Sequence, residues 1–221
     1  MKIAFIGTGL MGYPMAKNLI NKKLNLTVFS RTLEKAKPLE KLGAIIANSL
    51  GEAVKEADII ITMLTDDEAV EKVLGNQEFL NNLKNPSTVI DMSSIKPKIA
   101  IQYGKLLKDR NIHFLDAPVS GGTIGAEEGS LAIMVGGDQN VFDGAFDILK
   151  IMGNPTLVGP IGSGQVSKLA NQIIVGVTIG AVAEAITLCE KAGVDANRFI
   201  KALSGGFADG KILQNHGKRM I

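Results

Sequence analysis

Three glycines are spaced as Gly7-Thr8-Gly9-Leu10-Met11-Gly12 directly behind the apolar run Ile3-Ala4-Phe5-Ile6. In such an order the first glycine permits a tight turn, the second lets the backbone approach a pyrophosphate, and the third lets a helix pack close to a strand. Phosphates would then face the helix N-terminus, where free N–H groups and the helix dipole favour negative charge. Gly7, Thr8, Gly9, Leu10, Met11 and Gly12 are therefore expected to line a dinucleotide. The spacing alone is weak, but here a strand precedes it and a helical pattern follows. A second strand, Leu26-Thr27-Val28-Phe29, closes the unit within about 30 residues.

The acidic residue that would bond the ribose 2′-hydroxyl of NAD after that second strand is missing. Ser30-Arg31-Thr32 stands there instead, offering a guanidinium and two hydroxyls, groups suited to a 2′-phosphate. NADP(H) is thus favoured over NAD(H); the alternative for Arg31 is a solvated side chain at a strand end. Met63-Leu64-Thr65-Asp66 and Asp91-Met92-Ser93-Ser94 fall at strand ends, where doubly wound folds bind ligands. Leu64, Thr65 and Ser94 are candidates for the nicotinamide-ribose half, although each such residue also suits a turn or a helix cap.

Two further segments carry polar chemistry. Asp116-Ala117-Pro118-Val119-Ser120-Gly121-Gly122-Thr123 places a hydroxyl and exposed amides on a loop after a strand, a design that can receive a carboxylate or serve only as a glycine turn. In Gly162-x-Gly164-Gln165-x-x-Lys168-x-x-Asn171-Gln172 the lysine and two amides stand at i, i+3 and i+4 of a helical pattern, on one face. Buried there, they need partners, because unpaired burial is costly; a lone lysine would instead reach solvent. No metal-ligating cluster is assigned.

The elements that must hold these groups follow from hydrophobic periodicity. Up to about residue 95, short β-branched runs such as Ile59-Ile60-Ile61-Thr62 and Thr88-Val89-Ile90-Asp91 alternate with helical patterns, which predicts βαβ units. The strands are continuously apolar, as expected when helices cover both faces of a sheet. The expectation is an α/β, Rossmann-type, doubly wound and mainly parallel sheet. His113-Phe114-Leu115-Asp116, Leu131-Ala132-Ile133-Met134-Val135-Gly136-Gly137 and Thr156-Leu157-Val158 extend it, with a glycine- and serine-rich loop between the first two. The breaker cluster Gly159-Pro160-Ile161-Gly162-Ser163-Gly164 suggests a dinucleotide-binding domain over residues 1–161 and the start of an all-helical domain over 162–221.

The second domain opens with one helix over about residues 165–192, roughly 40 Å long. Its middle, residues 173–183, is apolar all round, so the helix is expected to be buried. A transmembrane reading is disfavoured because the uncharged run 169–183 is shorter than the roughly 20 residues a bilayer needs and contains Asn171 and Gln172. Gly176 and Gly180 offer a groove for close helix approach. Helices over 196–203 and 209–220 cannot bury so apolar a segment well. The chain is therefore expected to pair with another subunit or to be a shortened form of a longer protein.

Composition sets outer bounds. The 221 residues are 46% hydrophobic, and 24 Lys plus Arg against 22 Asp plus Glu leave a formal charge of +2, too balanced for a nucleic-acid partner. With a strand starting at Lys2 there is no room for a signal sequence, so a cytoplasmic location without membrane association is expected. The single cysteine, Cys189, lies in an apolar helical run and is read as a core residue.

Taken in order, Gly7-x-Gly9-x-x-Gly12, Asp116-Ala117-Pro118-Val119-Ser120-Gly121-Gly122 and Gly162-x-Gly164-Gln165-x-x-Lys168-x-x-Asn171-Gln172 resemble the successive signatures of the β-hydroxyacid dehydrogenases. The resemblance runs the length of the chain. Ser204-Gly205-Gly206-Phe207-Ala208-Asp209 and Leu213-Gln214-Asn215-His216-Gly217 look most like the 2-hydroxy-3-oxopropionate reductase branch. It implies that Lys168 is the catalytic lysine, that Ser120, Gly121 and Gly122 hold a substrate carboxylate, and that Asn171 and Gln172 complete the pocket. It also implies reversible hydride transfer between a nicotinamide and a small semialdehyde or 3-hydroxy acid. Family members carry further helices, including another lysine near the cofactor, so a cofactor-binding scaffold with impaired catalysis is the competing expectation. A decarboxylating sugar-phosphate dehydrogenase would need a phosphate-binding cluster in the helical segment, and none is visible.

Overall fold

All residues from Met1 to Ile221 are described by a computed structural model, which divides into two compact units, Met1–Lys168 and Leu169–Ile221. The first unit is a nine-stranded sheet: β1 (Lys2–Ile6), β2 (Asn25–Phe29), β3 (Ile45–Ile46), β4 (Ile59–Thr62), β5 (Thr88–Asp91), β6 (His113–Asp116), β7 (Val119–Ser120), β8 (Leu131–Gly136) and β9 (Gly153–Gly159). The order is β3-β2-β1-β4-β5-β6-β8-β7, with β9 on β8. Pairing is parallel from β3 to β6 and between β8 and β9, and antiparallel where β8 meets β6 and β7. The chain leaves β1 toward β2 on one side and later returns to β4 on the other, so the switch point lies at the carboxyl end of β1, directly before the glycine turn.

The helices are α1 (Gly12–Asn21), α2 (Leu33–Glu40), α3 (Leu50–Val54), α4 (Asp67–Leu74), α5 (Gln77–Asn82), α6 (Pro97–Lys108), α7 (Gly122–Glu128) and α8 (Gln139–Met152). They cover both sheet faces, and β1 shows why its run is apolar throughout. Ile3 and Phe5 enter one core with Met15, Leu19 and Leu149, while Ala4 and Ile6 enter the other with Val54, Leu74 and Leu107. Asp66, Asn76 and Asp138 accept backbone N–H bonds at the starts of α4, α5 and α8, which fixes where those helices begin.

Two parts of the sequence reading are corrected here. The segment expected as a loop after Asp116 contains β7 and α7: Val119 pairs with Ile133, and Gly121 and Gly122, at φ +142° and +63°, turn the chain into the helix. The two-residue strand β3 was not expected. A ninth helix, α9 (Ser163–Lys191), starts within the first compact unit and continues into the second.

The second unit holds the rest of α9, α10 (Ala196–Ala202), a π-helical turn (Leu213–Gly217) and the short α11 (Lys218–Met220). Its core is small: Val182, Ile186, Ala196, Ile200 and Leu213. Within this chain the long helix is left largely uncovered: Ile173 is 68% exposed and Val177 70%. The unit has too few apolar side chains to surround a helix that is apolar on every face. A Cβ placed on Gly176 or Gly180 would meet nothing, and Cys189 is half-buried rather than core. By length and composition alone α9 is sufficient to cross a bilayer. The helix expected over residues 209–220 forms over residues 211–220 with a π-helical turn at Leu213–Gly217, and at its start the Asp209 carboxylate accepts from Gly205 N and Gln214 Nε2.

Candidate active site

At the switch point each glycine of the fingerprint has a separate physical role. Gly7 takes φ +100° and donates its N–H to Phe29 O at 2.9 Å, tying the turn to β2. A Cβ on Gly12 would collide with Gly7 O and lie 3.1 Å from the Phe5 ring, so only glycine lets α1 pack this close to β1. A Cβ on Gly9 would meet nothing within 4 Å and would fill the open side of the turn. Thr8 is buried with its Oγ1 lacking a hydrogen-bond partner, and Met11 caps α1 without a side-chain bond. Open space beside Gly9, an unpaired buried hydroxyl and an uncapped helix start fit a pyrophosphate. Leu10 is exposed beside them and Met11 half-buried.

Past β2, Ser30 is buried while Arg31 and Thr32 are exposed. Arg31 enters no ion pair, and Thr32 stands at the start of α2 without a side-chain cap bond, so guanidinium and hydroxyl are both uncommitted. At the ends of β4 and β5, Leu64 N donates to Ser93 Oγ at 2.9 Å. Thr65 Oγ1 donates to Asp66 Oδ2 at 2.7 Å, which engages that hydroxyl in the turn before α4. Ser94 is exposed on the same carboxyl edge.

Under this edge lies a buried polar network that the sequence reading missed. One oxygen of Asp91 accepts from Thr62 Oγ1 at 2.7 Å, Ser93 Oγ at 2.6 Å and Ser93 N at 3.2 Å, while Oδ2 has no partner. Burial pushes its carboxyl up, and the three bonds only oppose this. Asp116 lies beside it in the strand register. Burial raises Asp116 to about 6 against two backbone bonds, from Gly162 N at 2.7 Å and Gln165 N at 2.9 Å. Gln165, 1% exposed, donates to Ser93 O at 2.8 Å and accepts from Ile95 N at 3.0 Å. The only sequence signal was an aspartate ending an otherwise apolar strand.

Ser120 is half-buried at the end of β7, with Gly121 and Gly122 exposed after it. Lys168 is half-buried on α9 in no ion pair, and loss of water lowers its pKa. Asn171 and Gln172 follow on the same helix in the second unit, where Asn171 Nδ2 donates to Gln172 Oε1 at 3.0 Å. No group of three or more His, Cys, Asp or Glu side chains could hold a metal ion.

A doubly wound sheet with a glycine turn at its switch point defines a dinucleotide-binding protein. Comparison with known proteins agrees. Residues 2–176 match the NAD binding domain of 6-phosphogluconate dehydrogenase, and residues 162–221 match the NAD-binding region of NADP-dependent 3-hydroxyisobutyrate dehydrogenase. The chain is 43% identical over 225 residues to 2-hydroxy-3-oxopropionate reductase of Escherichia coli strain K12, covering 100% of this chain and 76% of that protein. Probable 3-hydroxyisobutyrate dehydrogenase-like 1 of Arabidopsis thaliana is 35% identical over 222 residues, covering 100% and 66%. The structure of Mycobacterium tuberculosis 3-hydroxyisobutyrate dehydrogenase with L-serine superposes at a TM-score of 0.89 with 33% identity, covering 97% of this chain and 73% of that one. The chain belongs to the β-hydroxyacid dehydrogenase family and is an NAD(P)-dependent oxidoreductase.

Proposed function

We propose that the protein is an NADP(H)-preferring reductase of a small semialdehyde acid, of the 2-hydroxy-3-oxopropionate or 3-hydroxyisobutyrate type, working reversibly with Lys168 as general acid and base. The observation that carries this reading is Lys168 itself: half-buried, without an acidic partner, and lowered in pKa by lost hydration. A reduced nicotinamide, when bound, supplies the hydride. In that direction negative charge grows on the substrate carbonyl oxygen. The Lys168 ammonium stabilises it and gives up a proton; in the reverse direction neutral Lys168 takes the hydroxyl proton. A lysine moved below its ordinary range serves both directions better than one left in water.

Ser120 and the exposed amides of Gly121 and Gly122 are assigned to the substrate carboxylate, with Asn171 and Gln172 as further substrate contacts. Arg31, with Ser30 and Thr32, is assigned to the 2′-phosphate; its uncommitted guanidinium supports NADP(H), as does the 3-hydroxyisobutyrate dehydrogenase match over residues 162–221. Leu64, Thr65 and Ser94 are assigned to the nicotinamide-ribose half, Thr65 through its backbone. The exposed apolar faces of α9 support a homo-oligomer formed through the helical segment. A cytoplasmic location without membrane or nucleic-acid association completes the reading. A panel of semialdehyde acids assayed with NADPH and NADH tests it. Rates with NADPH should exceed those with NADH for at least one of the two named types, and an absence of semialdehyde-dependent NADPH oxidation across the panel overturns it.

A further inference from the structure

We propose that Asp116 and Gln165 are positioning residues that clamp the first turn of α9 to the carboxyl ends of β5 and β6 and thereby fix where Lys168 stands. The inference rests on Lys168 being the reacting lysine. A helix leaves its first N–H groups without partners, and a polar residue just ahead of it ordinarily supplies the acceptor. The approach to α9, Gly159-Pro160-Ile161-Gly162, has no side chain that could accept. The acceptor comes from β6 instead: the two Asp116 oxygens take Gly162 N and Gln165 N at 2.7 and 2.9 Å, lengths of charge-assisted bonds. Gln165 closes the clamp from the other side, its amide spanning Ser93 O and Ile95 N just beyond β5.

The clamp leaves no room to slide. A Cβ on Gly164 would press on Met134 O and lie 2.6 Å from Asp116 O and 2.8 Å from Asp116 Oδ2. A Cβ on Gly136 would press on Asp116 Oδ1 and lie 2.8 Å from Pro160 O. Strand and helix start therefore meet backbone to backbone, and Lys168 follows Gln165 by about one turn. Lys168 is the one charged side chain between residues 163 and 183 and has no ion pair of its own, so the helix start sets its position.

The clamp is also sensitive to protonation. As a carboxylate Asp116 accepts both N–H groups; with a proton it gives up one acceptor. Of its surroundings, β5 contributes the buried acid Asp91, β8 contributes Gly136, and the start of α9 contributes Gly164 and Gln165 with no charge before Lys168. With Asp116 raised to about 6, the clamp loosens just below neutrality.

The test uses the full chain, NADPH and 2-hydroxy-3-oxopropionate. Amide resonances of Gly162 and Gln165 should titrate together near pH 6, and kcat should fall on acidification with the same midpoint. Asp116→Asn should abolish that titration, remove that limb of the pH profile and lower kcat about 10- to 100-fold, as expected of a misplaced catalytic group. Its NADPH affinity should stay within about threefold. Gln165→Met, of similar volume without the bonds, should lower kcat comparably while keeping the limb. Amides that do not titrate, or an Asp116→Asn enzyme with the parental kcat and pH profile, overturn the proposal. If Asp116→Asn does not fold, an unchanged kcat in Gln165→Met overturns it. Turnover of Lys168→Ala within tenfold of the parent overturns the underlying reading of the site, and is told apart by an amide titration that persists in that variant.

Discussion

In the proposed reading Lys168 carries the proton chemistry and Arg31 the cofactor choice, and the surroundings of these two cations differ. Lys168 has lost part of its water, which weakens its hold on a proton, whereas Arg31 is exposed and gains only from what binds it. Replacing Lys168 with alanine removes the proton donor and the positive charge, so kcat should fall by about 10²- to 10⁴-fold with NADPH affinity nearly unchanged. Parallel steady-state kinetics and cofactor titration check this. Arg31→Ala should weaken NADPH by about 10- to 100-fold, the loss of charge-assisted bonds worth roughly 1.5–3 kcal/mol, and leave NADH alone. Equal loss for both cofactors, by fluorescence titration, would return Arg31 to the role of a solvated strand-end residue. Asp116 yields a stability prediction with a definite sign. Its folded pKa, about 6, lies above the ordinary 3.8, so the folded state binds the extra proton. Its contribution to stability is present below about pH 4 and lost as pH rises to about 6, a swing of up to about 3 kcal/mol. Urea unfolding at several pH values should show the parent losing stability relative to Asp116→Asn across that window; parallel curves would mean the carboxyl is not raised.

The strand–turn–helix unit at the amino end shows how much of an element is legible before its structure is known. Glycine has no Cβ, so its spacing behind an apolar run already states where the chain must turn and where a helix must approach. Gly7 and Gly12 fill those roles. Their substitutions separate fold from binding: Gly9→Ala should leave the unfolding temperature near the parent's, because its Cβ meets open space, yet lower cofactor affinity by about tenfold or more. Gly12→Ala drives a Cβ into Gly7 O and should destabilise by about 1–3 kcal/mol whether or not cofactor binds. Thermal melts with and without NADPH distinguish the two. The central strands β1, β4 and β5 were equally legible, since burial on both faces leaves no other composition open to them, whereas the two-residue edge strand β3, half exposed, was not. The cap on α9 was not, because its acceptor lies 46 and 49 residues away from the amides it holds, and no local pattern records a partner at that distance. For the same reason β7 and α7 read as a loop: Val119 becomes a strand residue only by pairing with Ile133.

At the scale of the molecule the two units are unequally supplied with core. The first has two large apolar clusters, one on each face of its sheet; the second has five buried hydrophobic residues. The sequence stated that α9 needs covering and was silent on what covers it, since hydrophobicity is non-directional and names no partner. A soluble partner and a lipid surface would both satisfy Ile173, Ile174, Val177 and Leu188, which are exposed. The proposed occupant is a second copy of the chain, and the prediction follows from the size of those side chains. Sedimentation equilibrium should show concentration-dependent self-association of the parent, and the pair Ile174→Asp with Val177→Asp should weaken it by about 100-fold or more, roughly the loss of one or two central anchors. The Gly7, Gly9 and Gly12 turn lies in the other unit, so the double variant should bind NADPH as the parent does. Flotation with anionic vesicles supplies the opposing outcome: a parent chain that stays monomeric at high concentration and rises with the vesicles would mean that α9 serves a membrane, not a subunit interface.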